Sequence, residues 1–396
     1  MRILFVSSWF PYPPDNGSRI RVLNLLRQLA RRHQVTLVSF TQSDFQPERI
    51  AALESYCQAV YVVPGRRFRP RSLKAILGFL APYPRNVLDT HSPEMQHQVA
   101  ALLAGEAWDV AIASELTTAP YLAHARPPRI LEDLEIMVLR EQPLQSPSRL
   151  RRWRYGLTWA KFRRYVGGLL RRFDACTAVS EKERAYVQEI APDGRIAVIP
   201  NGLDLGDYAG SFGPPEADTL IFTGVLSYGA NYDALQFFLE QVWPRIRAQR
   251  PGVRLRVTGR LDGISLNGLA VDSNVEFTGY LPDIRPAVAR HWLSIVPLRI
   301  GGGTRLKILE SMALGTPVVA TSKGAEGLDV RPEEDILLAD DPAGFAGAVI
   351  RLLNDPGLRQ RLTANGRRLV AEKYDWNEIG QRFNALVEQV GRRGGK

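Results

Sequence analysis

The feature that most constrains this chain is a supersecondary order that occurs twice. The first half opens with an apolar strand (RILFVSS), a Pro/Gly-rich loop (WFPYPPDNGSR), a helix (IRVLNLLRQLARR) and a second strand (VTLVSF). After residue 217 the same order returns as TLIFTGV, LSYGANYD, ALQFFLEQVWPRIRAQR and VRLRVTG. Strands that alternate with helices in this way require a parallel sheet covered by helices on both faces. Each half therefore reads as a Rossmann-like α/β domain, with ligands expected beyond the carboxyl ends of its strands. Further strands are predicted at AVYVVP, DVAIAS, RILEDL, DACTAVS and IAVIP, then at VEFTGY, LSIVPL, PVVAT and DILLA. A length of 396 residues suits two such domains better than one core. The Gly-, Pro- and Asp-rich stretch after IAVIP marks the linker, giving domains 1–203 and 204–375. An amphipathic helix over 376–390 follows, and the terminal GRRGGK is expected to be disordered.

Residues 300–321, IGGGTRLKILESMALGTPVVAT, concentrate the chemistry. Gly301–Gly303 cannot hold a helix and Thr304 can cap one, while Leu306, Leu309 and Ala313 recur at helical spacing. Gly315 suits the C′ position and Pro317 follows, so the unit is glycine loop, helix and strand. Free amides at a helix start make an anion site. Lys307 and Glu310, three apart, share one face of that helix. The net charge of +10 also favours anionic partners. Cys57 and Cys176 are too few for a disulfide framework, have no metal-ligand spacing, and read as buried apolar residues of a reducing compartment. The amino terminus reads as a buried strand rather than a leader, and no run approaches the ~20 apolar residues of a membrane span. A cytoplasmic protein, or one peripheral on the cytoplasmic face of the membrane, is expected.

VIPNGLD (Val198–Asp204), the two FTG triplets (Phe222–Gly224 and Phe277–Gly279) and GGGTRLKILESMALGTPVVAT together resemble the retaining glycosyltransferases of family 4, which have the GT-B fold. The segment FPYPPDNGSRIRVLNLLRQLARRHQVTLVSF is similar to a subgroup associated with bacterial exopolysaccharide assembly. The resemblance implies two Rossmann-like domains facing across a cleft, with a nucleotide-sugar held mainly by the second and the last helix packed back on the first. It assigns Glu310 to the hydroxyls of the nucleotide ribose, a task that suits a carboxylate. The plainer reading of Glu310 is a surface residue paired with Lys307.

The chain departs from the family pattern twice. The first of two family glutamates falls on Gly302, and the Arg and Lys that many members carry after the first strand of the second domain are absent from Gly224–Asn231. Charge gained by the leaving diphosphate must be met by something. Arg305 and Lys307 are the nearest replacements, with Arg260 a third; the alternative is a solvated helix face. The expected donor-binding set is thus Gly17, Asn231, Arg260, Gly303, Thr304, Arg305, Leu306, Lys307 and Glu310. In the first half, Gly17 would let backbone approach a phosphate, or would simply belong to a turn capped by Ser18. Arg19 and Arg21 are candidates to hold an acceptor phosphate. RILEDLE offers Glu132, Asp133 and Glu135 at a strand end, with Asp133 preferred as a base and Glu135 on the acceptor side.

No Ser/His/Asp set, HExxH or clustered Cys/His pattern occurs, so no metal or cofactor is implied beyond the nucleotide-sugar itself. Residues 142–173 contain nine Arg or Lys and no Asp or Glu. Phe162, Val166, Leu169 and Phe173 form a stripe there, with Trp153, Tyr155 and Trp159 upstream. Residues 149–173 read either as a segment touching an anionic membrane or as a helix packed on its own sheet. Membrane contact would suit a polyprenyl-diphosphate-linked glycan as acceptor. A dinucleotide oxidoreductase lacks G-x-G-x-x-G, a P-loop NTPase lacks its lysine order, and no nucleic-acid motif accompanies the arginines. A nonhydrolysing nucleotide-sugar epimerase and a catalytically silent sugar-nucleotide-binding subunit stay open as alternatives.

Overall fold

A computed structural model describes residues 1–66, 68–79, 81, 83–145, 148–261, 263 and 266–394. The chain divides into two compact units. One comprises Met1–Pro200 together with the chain from Ile379 onward, and the other Asn201–Glu378. All the strands expected from the sequence are present.

In the first unit β1 (Arg2–Ser7), β2 (Gln34–Thr41), β3 (Ala59–Pro64), β4 (Val110–Ser114), β5 (Arg129–Glu132), β6 (Ala175–Ala178) and β7 (Ile196–Val198) form one sheet. Its order is β3-β2-β1-β4-β5-β6-β7, and every pairing is parallel. In the second, β8 (Glu216–Thr223), β9 (Arg254–Thr258), β10 (Val275–Gly279), β11 (His291–Val296), β12 (Val318–Ala320) and β13 (Leu337–Leu338) take the order β10-β9-β8-β11-β12-β13, again all parallel. Strand order therefore reverses between β1 and β4 in one sheet and between β8 and β11 in the other. Loops leaving those strands diverge to opposite faces, and the space between them is where a ligand can reach the backbone.

The central strands are buried on both faces, which explains their unbroken apolar runs; Ile3 to Val6 have no solvent exposure. Cys57 and Cys176 are buried among these apolar side chains. The terminal helix, Trp376–Gly394, buries Ile379, Phe383, Leu386, Val387 and Val390. Asn384 donates to the Gln28 carbonyl of the helix Gly17–Ala30 at 3.0 Å, and a Cβ on Gly380 would lie 2.4 Å from Gln28 Cγ. The expected disordered tail is corrected here: residues 391–394 continue the helix, and 395–396 lie outside the described residues.

The helix Arg149–Leu170 bears on the two readings of its apolar stripe. Phe162, Val166 and Leu169, with Phe173 just beyond, are buried in the core of the first unit. The apolar stripe is wanted by the sheet beneath it.

Strand ends of the second sheet are laced through glycine. Gly224 donates to the Thr258 carbonyl and Gly259 to the Gly279 carbonyl. Gly259 has φ 134, and a Cβ there would sit 2.1 Å from the Gly224 carbonyl oxygen. Neither atom is on a flexible side chain, so the clash has no cheap relief. Gly259→Ala is expected to destabilise the second unit by about 3 kcal/mol or more, combining a forbidden backbone conformation with a steric overlap. Chemical denaturation followed by the tryptophans of that unit would measure it, and an unchanged midpoint would contradict the geometry.

Candidate active site

In the second unit the loop leaving β11 turns through Gly301 (φ 98) and Gly303 (φ 83) into the helix Leu306–Leu314, which ends at left-handed Gly315. A Cβ on Gly301 would meet Tyr228 Oη at 3.0 Å, so the loop can lie close to the start of the helix Gly229–Phe237 only with glycine there. Thr304 does not cap the helix, contrary to expectation. Its hydroxyl accepts from Asn201 Nδ2 at 2.8 Å, tying the NGLD segment to the glycine loop, and Arg305 occupies the N-cap position with no side-chain cap bond. The helix Gly229–Phe237 likewise starts at Tyr228 with no side-chain cap. Two uncapped helix starts thus lie beyond β8 and β11, at the reversal of strand order.

The two cations beside them are not on a solvated face. Arg305 is 6% exposed. Its Nη1 donates to the Gly302 carbonyl and its Nη2 to that of Gly301, each at 2.9 Å, while buried Nε has no hydrogen-bond partner. Burial lowers its pKa. Lys307 Nζ donates to the Thr223 carbonyl at 2.6 Å and to Asn231 Oδ1 at 3.0 Å, and stands 5.4 Å from the centre of the Phe222 ring. Burial, and then the Arg305 charge, bring it down to about 8. Among the described residues neither cation forms an ion pair with a carboxylate. Two buried positive charges held only by neutral oxygens form a site electrostatically incomplete without an anion.

Glu310 lies on the next turn. Its Oε1 accepts from Tyr208 Oη at 3.1 Å, and burial raises its carboxyl. The plain reading of a surface carboxylate paired with Lys307 does not describe it. Asn231 is buried and acts through others, holding Lys307 with Oδ1 and the Val225 carbonyl with Nδ2. Arg260 follows β9, exposed, with its guanidinium 5.1 Å from the centre of the Tyr280 ring. Gly303 is exposed and has open space where a side chain would be, and Leu306 is packed against the core.

In the first unit Gly17 opens its helix, also facing open space, and the cap is Asn16 rather than Ser18: Asn16 Oδ1 accepts from the Arg19 amide. The two arginines expected to hold an acceptor phosphate are occupied. Arg19 makes a bidentate pair with Asp44 (2.7 and 2.9 Å) and reaches Asp15 at 3.1 Å. Arg21 is wholly buried, at 2.6 Å from Glu132 Oε1, and donates to the Ile199 carbonyl at 2.9 Å. Both guanidinium groups are neutralised by their own domain, a better use of a buried charge than waiting for a ligand.

Around Arg21 the carboxyl ends of β4 and β5 gather acid. Asp133 has φ 60, a left-handed conformation costly for a non-glycine residue, held by its amide's bond to Thr177 Oγ1. Its Oδ2 lies 3.6 Å from Arg21 Nε, and its buried Oδ1 has no hydrogen-bond partner. Glu132 also accepts from Ser114, and burial pushes it up to about 7 against the pull of Arg21. Glu135 is exposed at the rim. Sequence reasoning missed Glu115, which follows β4 as Asp133 follows β5. It too is left-handed (φ 69), and its amide donates to the Glu132 carbonyl. Burial, then the charges of Asp133 and Glu132, push its carboxyl up to about 8. The signal was available: an acid directly after the apolar run DVAIAS, the same pattern that singled out RILEDLE. Two left-handed acids at adjacent strand ends are a strain that the surrounding structure has to hold.

A family model described as glycosyl transferases group 1 matches residues 217–355, and one described as glycosyltransferase family 4 matches residues 15–207. Among curated proteins the chain is similar to the phosphatidyl-myo-inositol mannosyltransferase of Mycobacterium leprae, 28% identical over 229 residues, or 55% of this chain and 60% of that one. The chain spans about half the length of the curated relatives it matches. Among solved structures it shares its fold with Anabaena HepE in complex with UDP and glucose (TM-score 0.66, 18% identity, 98% of this chain and 100% of that). The sucrose-phosphate synthase of Thermosynechococcus elongatus has the same fold (TM-score 0.69, 18% identity, 99% and 100%).

Two pH dependences follow from these environments. An anion binds the protonated form of Lys307, so affinity for a nucleoside diphosphate should fall as pH rises through about 8, approaching tenfold per unit. Calorimetric titration between pH 7 and 9.5 would show this slope in the wild type and its loss in Lys307→Met. Glu115 titrates near about 8 in the folded chain against an ordinary 4.5. Below 4.5 both states hold the proton and nothing is lost. Between 4.5 and 8 the unfolded chain ionises first, so stability declines as pH rises. Glu115→Gln should therefore raise the melting temperature at pH 8 and leave it nearly unchanged at pH 4.5; equal shifts at both would refute the assignment.

Proposed function

Since the chain belongs to the group 1 glycosyltransferases of GT-B fold, we propose that it transfers a hexose from a UDP- or GDP-linked donor to a glycan or lipid-linked glycan acceptor, with retention at the anomeric carbon. The observation that carries this reading is the pair of buried, carboxylate-free cations Arg305 and Lys307 beside two uncapped helix starts. A diphosphate is the anion that suits it, carrying two phosphates for two cations and many acceptor oxygens. Glu310, one turn further on the same helix face, is in position to receive the vicinal hydroxyls of a ribose attached to that diphosphate. The UDP bound to HepE and the mannosyl transfer named for the mycobacterial relative support a nucleotide-sugar donor of this kind. A cell-surface polysaccharide is the product class that the first-half resemblance favours.

The reaction we infer is a front-face substitution. The bond from the anomeric carbon to the diphosphate oxygen breaks, and the acceptor oxygen bonds to the same face. The acceptor proton passes to an oxygen of the departing phosphate. Arg305 and Lys307 meet charge that grows on the leaving group, so their contribution is larger in the transition state than in the ground state. Their backbone anchors hold them in place beforehand, which removes reorganisation from the barrier. In the first unit Asp133 and Glu115 are the acidic candidates. A carboxyl pushed up to about 8 by burial, as that of Glu115 is, can donate to a hydroxyl near neutrality.

A thermal-shift panel of nucleotide-sugars identifies the donor, since a ligand at a hundredfold its Kd stabilises by about 2.7 kcal/mol. With that donor and a glycan acceptor, Arg305→Ala should lower transfer by about 10²–10³-fold, the usual effect of removing one transition-state charge contact. Wild-type rates in both Arg305→Ala and Lys307→Met would sink the proposal. Donor binding with no transfer to any acceptor would instead make the chain a sugar-nucleotide-binding subunit.

A further inference from the structure

We propose that Tyr208 is a positioning residue for the donor: its hydroxyl fixes the Glu310 carboxylate for the ribose of a nucleoside diphosphate, and so favours ribonucleotides over analogues lacking the 2′ and 3′ hydroxyls. The inference rests on the donor reading given above and adds a residue outside the glycine loop. Tyr208 Oη donates to Glu310 Oε1 at 3.1 Å, across 102 residues of chain. Among the described residues this is the one hydrogen bond the carboxylate makes. Lys307, three residues earlier, gives its ammonium to the Thr223 carbonyl and Asn231 instead. The tyrosine is itself firmly held. It ends the 3₁₀ turn Leu205–Tyr208, which Asp204 caps by accepting from the Gly206 amide at 3.1 Å. Arg285 donates to the carbonyl of Asp207 in the same turn. Just upstream, Asn201 donates to Thr304, and Leu203 exchanges backbone bonds with Tyr374 and Trp376 at 2.8 and 2.9 Å. The segment Asn201–Tyr208 is thus a strap that grips the donor helix at two points, Thr304 before its first turn and Glu310 beyond it.

The chemistry follows from that single bond. The last torsion of a glutamate is broad, and donation to one oxygen narrows it, so the carboxylate plane is set before a ligand arrives. A vicinal diol needs two acceptor sites, and Oε2 together with the second lone pair of Oε1 supplies them. A carboxylate withdrawn from water also needs a donor to stay ionised. Burial raises the Glu310 carboxyl, and the Tyr208 hydroxyl and then the Lys307 charge pull it back. The phenol is a constant donor, because burial and then the Glu310 charge hold its proton above the ordinary tyrosine range. Its ring packs against Ile221, Val288 and Leu314, and a phenylalanine would keep that packing while losing only the donor. If the bond merely tied the strap to the helix, its loss would affect every nucleotide alike. A positioning role confines the effect to ligands that carry the diol.

The test is calorimetric titration of the full chain, wild type and Tyr208→Phe, with UDP and GDP, and displacement titration with their 2′,3′-dideoxy analogues. The wild type should prefer the ribonucleotide it binds by about a hundredfold, the effect of two hydrogen bonds to a charged group. Tyr208→Phe should weaken that ribonucleotide by about tenfold and leave the dideoxy analogue within about twofold. As pH is lowered, ribonucleotide affinity should begin to fall at a higher pH in the variant. The diol needs the ionised carboxylate, and without the phenol Glu310 takes up its proton sooner. In transfer assays the loss should appear in the donor KM with kcat within about twofold, because ribose is held equally in the ground and transition states. Undiminished ribonucleotide affinity in Tyr208→Phe, an equal loss for the dideoxy analogue, or an acid limb that does not move overturns the proposal and leaves the donor reading standing. A wild type that binds neither UDP nor GDP brings down both.

Discussion

Burial of Arg305 and Lys307 without a carboxylate is the constraint around which the second unit is organised. Removing a cation from water costs several kcal/mol even after the protein relaxes, and a carboxylate partner is the usual remedy. Here the remedy is backbone carbonyls: Gly301 and Gly302 for the arginine, Thr223 for the lysine. Carbonyl dipoles hold a cation without cancelling its charge, so the positive potential survives into the folded state. That requirement explains much of the local structure. β8 must end where its last carbonyl reaches Lys307, Asn231 must be buried to share the ammonium, and the loop after β11 must turn sharply enough to aim two carbonyls at one guanidinium. The lowered pKa of Lys307 measures the tension left over.

The first unit solves the opposite problem with the opposite sign. Its one fully buried arginine, Arg21, is surrounded by more acid than it can neutralise. Glu132 takes the direct pair, and Glu115 avoids the excess by holding a proton. Carboxyls forced to share one counter-charge separate into ionised and protonated members, which is how a cluster of like groups acquires both a donor and an acceptor at the same pH. The strained backbone at Glu115 and Asp133 fits this picture. Each residue continues directly from a buried strand; Asp133 has its carboxylate 3.6 Å from Arg21, while Glu115 meets burial and the charges of Asp133 and Glu132.

The parallel sheets were legible because a doubly covered strand leaves an unmistakable apolar run, and the glycine loop because helix punctuation is local. What escaped the sequence was partnership. Nothing in the spacing of Arg19 and Arg21 says that Asp44, twenty-five residues on, and Glu132, more than a hundred on, will neutralise them. Thr304 looked like a cap by position, yet Asn201, 103 residues earlier in the chain, claims its hydroxyl. The basic helix shows the same limit. A strong apolar stripe on an arginine-rich helix is visible in sequence, but whether it faces the core depends on the sheet beneath, and the weaker, opposite line of Leu150, Trp153 and Leu157 proved to be the exposed one.

The two departures from the family pattern now make joint physical sense. Gly302 lies outside the left-handed region that its neighbours occupy, so the backbone does not demand glycine there. Its carbonyl accepts from Arg305 Nη1 at 2.9 Å. Where a family member also carries an Arg and a Lys after the first strand of the domain, a glutamate at this position can serve the sugar and still leave cations for the diphosphate. With no cation in 224–231, the positive charge at the helix starts comes from Arg305 and Lys307. A carboxylate at 302 would give Arg305 an internal partner and cancel much of what remains. The two departures therefore act in the same direction: with no cation in 224–231, a neutral residue at 302 leaves the charge of Arg305 uncancelled.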